Sequence, residues 1–89
     1  MNRNTTYRIA PEVLVADLDG EAVVLDVRQK TYYQLNETAA AIWHALEGGA
    51  DENSVVRRLV VQFAVDEETA LADTRRLLAE LEERSLVTR

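Results

Sequence analysis

Cysteine is missing from this chain of 89 residues, so neither a disulfide framework nor a thiolate zinc site holds it together. A cysteine-free chain fits the reducing cytoplasm, which is the expected address. Proline occurs once, at Pro11, and glycine three times; there is no linker, no low-complexity segment and no Gly-rich phosphate loop. Long apolar runs are lacking too. None approaches the roughly 20 residues that span a bilayer, and residues 1–6 are not followed by the apolar stretch of a secretory signal. Positive charge is scarce: 10 Lys and Arg stand against 16 Asp and Glu, a net charge of −6. Nucleic-acid binders draw most of their non-specific affinity from neutralising phosphates, and an acidic chain forgoes that gain. Neither nucleic acid nor an anionic membrane is expected as a partner.

Catalytic groups are equally sparse. The single histidine, His44, stands without a serine, cysteine or lysine in a recognisable catalytic context, and reads as a partly exposed helix residue rather than a general base. The acid pairs Glu67/Glu68 and Glu82/Glu83 lie about 100° apart on a helix and do not converge on a metal or a glycosidic bond. Nothing calls for a cofactor or a metal, and no enzymatic activity is expected.

What is present is one globular domain over residues 1–89, with residues 1–6 expected to be disordered. The composition, 47% hydrophobic and 29% charged, is that of a folded chain. Val13-Leu14-Val15-Ala16 reads as a strand, Asp19-Gly20 as a hairpin turn, residues 21–27 as a central strand, and Thr31-Tyr32-Tyr33-Gln34-Leu35 as a third. Residues 7–12, interrupted by Pro11, read as an edge or entry arm. Three helices follow, capped by Asn36, Asp51 and Asp66. Their apolar stripes are Ile42, Trp43 and Leu46; Val56, Leu59, Val60 and Phe63; and Leu71, Thr74, Leu78 and Leu81. Gly48-Gly49 stops the first helix, and Leu86-Val87 reads as a tail returning to the core. The expected fold is α+β and winged-helix-like: a three-stranded antiparallel sheet followed by a three-helix bundle.

The third strand stands out. Edge strands are usually blunted by charge, proline or a bulge, yet residues 31–35 carry none of these. Either Tyr33 and Leu35 simply face the core with Tyr32 on the surface, or the bare backbone edge accepts an extended peptide as an added strand. The last helix carries a second row, Asp73, Leu77, Glu80 and Arg84. Such a row is most often a solvated face, but if it overhangs the third strand it forms the far wall of a groove.

Leu35-Asn36-Glu37-Thr38-Ala39, with Ile42-Trp43 and Gly48 after it, resembles the signature of the PqqD-like family, the peptide-recognition elements of ribosomal peptide biosynthesis. Asp19-Gly20, Val23-Val24-Leu25-Asp26, Tyr32-Tyr33 and the C-terminal Leu77-Leu78, Leu81 and Leu86-Val87 fit the same pattern. A free-standing chain of this size is most similar to the leader-binding subunits of lasso-peptide systems, which work beside a separate leader protease and a cyclase. The resemblance implies a leader peptide held as an extra antiparallel strand along Thr31, Tyr32, Tyr33, Gln34 and Leu35. The opposite wall would be Asp73, Arg76, Leu77 and Glu80. Two departures concern turns: where family members often have glycine, this chain has Arg28-Gln29-Lys30 before the third strand and Ser85 after the last helix.

Two other readings share the architecture. A winged-helix nucleic-acid-binding regulator would read phosphates with its last helix, but residues 66–84 hold seven acids (Asp66, Glu67, Glu68, Asp73, Glu80, Glu82, Glu83) against three arginines (Arg75, Arg76, Arg84). A purely structural subunit would bind a partner protein and no free peptide.

Overall fold

In the computed structural model, which describes residues 6–89, Asp19 and Gly20 take φ of 57° and 92°. A two-residue turn with both φ positive matches the twist of the strands it joins. It connects β2 (Val13–Leu18) to β3 (Glu21–Asp26), and a four-residue turn leads from β3 to β4 (Thr31–Leu35). β2 runs two residues beyond the stretch read as a strand, because Leu18 still pairs with Glu21 across the turn. The three strands form an antiparallel sheet in the order β2-β3-β4, leaving β2 and β4 as its edges.

Alternation along β3 sets the two faces. Ala22, Val24 and Asp26 are buried toward the helices, while Leu25 points outward. The register places Leu14, Leu25 and Tyr32 side by side across the outer face, where all three are exposed.

Asn36, Asp51 and Asp66 each accept a hydrogen bond from the backbone N–H three residues on, at 2.9, 2.9 and 3.3 Å. They cap α1 (Glu37–Glu47), α2 (Glu52–Phe63) and α3 (Glu67–Glu83) as read. The helices cover the inner sheet face, and the core gathers Val24 and Leu35 with Ile42, Trp43, Leu59 and Leu81, all almost fully buried. The stripes are rotated slightly from those read. In α2, Val55 is fully buried while Val60 and Phe63 are half-buried, and in α3, Ala70 and Leu77 are buried while Leu71 is half-buried.

The arm and tail are more regular than expected. β1 (Arg8–Ile9) pairs antiparallel with β5 (Val87–Thr88) in a second small sheet, which also receives Ala10 N–H on the Leu86 carbonyl at 2.9 Å. Of the disorder expected over residues 1–6, residues 1–5 lie outside the described residues, and Thr6 bridges to Asp51. No described helix is long and apolar enough to cross a membrane.

Candidate functional site

α3 packs against α2, α1 and β5, and β4 packs against β3 and α1, which leaves a groove between β4 and α3. Tyr33 crosses it. Its hydroxyl donates to the Glu80 carboxylate, and the Arg84 guanidinium lies over its ring, 4.4 Å from the centroid. Burial, and then the adjoining Glu80 carboxylate, push the Tyr33 hydroxyl above its ordinary pKa. Tyr33 therefore stays a neutral donor at any ordinary pH.

This crossing divides the groove into two recesses that both open to solvent. The first, about 230 Å³, is bounded by Tyr33 and Gln34 on one side and by Asp73, Arg76, Leu77 and Glu80 on the other. The second, about 120 Å³, has Thr31, Tyr32 and Tyr33 as one wall, Arg84 as the other, and buried Val24 and Leu86 beneath. Moving from Gln34 to Thr31 along β4 thus corresponds to moving from Asp73 to Arg84 along α3, so the two elements run antiparallel.

Eight of the nine expected residues border these recesses. Leu35 does not: it is only 1% exposed and faces the core, so only its backbone belongs to the edge. Leu77 borders the first recess but is largely buried, 8% exposed, and serves the core as well. Arg76 reaches across to Asp73 at 3.0 Å and stays well exposed. The residue reading left out the start of α1, whose Asn36, Thr38, Ala39 and Ile42 also border the first recess. The signal was there in the Leu-Asn-Glu-Thr-Ala run. Arg84, which the row read on α3 includes and the wall implied by the resemblance omits, borders the second recess.

One end of the groove is tied shut. Asp26, buried at the end of β3, accepts from Arg28 Nη2 at 3.0 Å and from Gln29 Nε2 at 2.6 Å. The Arg28 side chain above all holds the Asp26 carboxyl well below the usual carboxylate range. From this base Arg28 donates to the Ser85 carbonyl at 3.0 Å and Gln29 to the Arg84 carbonyl at 3.2 Å. The turn before β4 is thereby fastened to the end of α3. Lys30, in the turn where family members often have a glycine, and Ser85, after the last helix, both lie in the left-handed region, with φ of 57° and 60°.

His44 sits between Asp17 Oδ1 and Glu47 Oε1, each at 2.7 Å, on the side of α1 facing β2. No cluster of three His, Asp or Glu able to hold a metal occurs among the described residues. Arg75 pairs with Glu52 at 3.2 Å and Arg76 with Asp73 at 3.0 Å, so both arginines within α3 are held in ion pairs.

Residues 21–87 match the family Coenzyme PQQ synthesis protein D (PqqD). The chain belongs to the PqqD family. Two solved structures resemble this PqqD-family chain closely. One is TbiB1 in complex with the TbiA(beta) leader peptide, at 30% identity and a TM-score of 0.84, covering 90% of this chain and 93% of that one. The other is lasso peptide synthetase B1 complexed with the leader peptide, at 33% identity and a TM-score of 0.85, covering 96% and 100%. No curated protein matches. The PqqD match spans β3, β4, all three helices and the return of the tail as far as Val87, so the groove lies wholly inside it.

Proposed function

We propose that this chain is a non-catalytic binding protein. It takes up the leader peptide of a ribosomally made precursor, of the lasso type, as an added antiparallel strand on β4. Working in the cytoplasm, it presents that peptide to a separate leader protease in a system that also includes a cyclase. The observation that carries the reading is the β4 edge facing α3 across a solvent-open groove, in a fold that superposes on two proteins solved in complex with leader peptides.

The chemistry follows from the groove. Main-chain hydrogen bonds to β4 are indifferent to sequence and hold any extended segment loosely, while side chains seated against α3 add selection. Tethering a precursor raises its concentration at a protease without any bond being made or broken by this chain.

Titration with a fluorescently labelled leader of the accompanying precursor tests this. N-methylation scanned along the leader should abolish binding at alternate residues, because every second amide of an added strand faces its neighbour. Leu77→Ala should weaken binding roughly tenfold in a protein whose circular dichroism is unchanged, as expected for an apolar seat worth about 1.4 kcal/mol. Saturable binding with no period-two pattern would remove the added strand from the proposal. Absence of binding would remove the leader.

A further inference from the structure

The charges along the groove are distributed unevenly. In the first recess Asp73 and Arg76 neutralise each other at 3.0 Å, and Glu80 accepts the Tyr33 hydroxyl. The side chains there leave a carboxylate in excess. In the second recess the acid is fully committed: both oxygens of Asp26 accept from Arg28 and Gln29. The Gln29 amide is spent on Asp26 and the Arg84 carbonyl. What is left over is a cation. The Arg84 guanidinium rests on the Tyr33 ring and has no carboxylate within ion-pair distance among the described residues. Stacking on an aromatic face leaves the edge of a guanidinium, and its N–H donors, pointing outward for a planar acceptor.

We infer that this second recess is a subsite for an acidic side chain of the bound peptide, with Arg84 as its specificity-determining partner. The inference rests on the peptide-binding reading above and adds to it a chemical class and a position. A carboxylate on a short aliphatic stem fits the recess: the stem lies on Val24 and Leu86, and the head meets Arg84 in a charge-assisted, forked pair.

The geometry also says where in the peptide this residue falls. A peptide antiparallel to β4 runs in the same direction as α3, so the Arg84 end of the groove receives its more C-terminal part. Side chains on one face of a strand repeat every ~6.7 Å, and Glu80 and Arg84 are ~6 Å apart along their helix. Successive groove-facing side chains of the peptide therefore keep step with successive turns of α3. Thr31, Tyr33 and Leu35 share the inner face of β4, so the peptide residues opposite Thr31 and Leu35 are four apart, with Tyr33 opposite the one between. The acidic residue lies four positions after the side chain seated in the first recess, and the residue midway is small enough to pass the Tyr33–Glu80 contact. A basic residue at the acidic position meets Arg84, and an acidic one in the first recess meets Glu80. Both registers are penalised, so the charges fix the frame in which the peptide is held.

A charge exchange tests this. The leader peptide and single Asp/Glu→Lys variants of it are titrated by fluorescence polarisation against the wild type, Arg84→Gln and Arg84→Glu. The expected result is a loss of tenfold or more for the native leader with Arg84→Glu, a smaller loss with Arg84→Gln, and recovery by one Lys-substituted leader alone. The wild-type affinity should fall as salt rises, and the Arg84→Gln affinity should fall less. Equal binding to wild type and Arg84→Glu, or a loss that no Lys-substituted leader rescues, overturns the subsite while leaving leader binding intact. A wild-type protein that binds no leader at all overturns both.

Discussion

Ser85 follows α3 in a motif that the chain also uses after α1. The N–H of Ser85 donates to the Glu82 carbonyl and that of Leu86 to the Leu81 carbonyl, at 3.0 and 2.9 Å. Gly49 and Ala50 make the same bonds to Leu46 and Ala45, each at 3.0 Å. Both helices thus end in the left-handed reversal that usually takes glycine, and only α1 has one. A side chain in that conformation costs about 1–2 kcal/mol, partly offset by the smaller entropy of its unfolded state. Lys30 is held the same way in the turn before β4. Ser85→Gly and Lys30→Gly are each expected to stabilise the fold by about 0.5–1 kcal/mol in urea titrations. The departures from the family pattern were visible as letters. That the backbone keeps its shape without glycine was not, because it depends on Arg28 and Gln29 reaching the Ser85 and Arg84 carbonyls 57 and 55 residues away.

Between elements, His44 ties α1 to β2. Hydrogen bonding to Glu47 first, and then Asp17, raises the His44 pKa above 6.5 against the opposing effect of burial. A raised histidine stabilises the fold fully below its unfolded pKa, and the contribution fades as pH rises through the folded value. The melting-temperature gap between wild type and His44→Gln should therefore be largest near about pH 6 and shrink by about pH 8. An unchanging gap would mean that His44 packs without titrating. Caps, turns and helix stripes were legible in the sequence because they depend on neighbours three or four residues apart. The pairing of β1 with β5 was not, since Arg8 and Thr88 meet only once the whole chain has folded. For the same reason Asp17, just past the stretch read as a strand, turns out to hold a helix through His44.

For the molecule as a whole, a ligand that binds only the folded state raises its stability by about 2.7 kcal/mol at a free concentration one hundred times its Kd. Leader peptide should raise the melting temperature progressively with concentration, and a scrambled peptide of the same composition should do so less. Calorimetric scans at several peptide concentrations check this. The two walls of the groove were legible as two separate patterns, a bare strand and a mixed row on a helix. Their facing each other is a property of the tertiary fold, and the Leu-Asn-Glu-Thr-Ala resemblance supplied it where spacing alone did not. The fastening of the turn before β4 to the end of α3 has a mechanical consequence. With that corner fixed, the groove is a jaw whose Arg84 end is held by Arg28 and Gln29. The jaw is open along its side, so the peptide proposed above would be laid into it rather than threaded through it. No free end has to pass between the walls, and whatever the peptide carries beyond them stays outside, whatever its size.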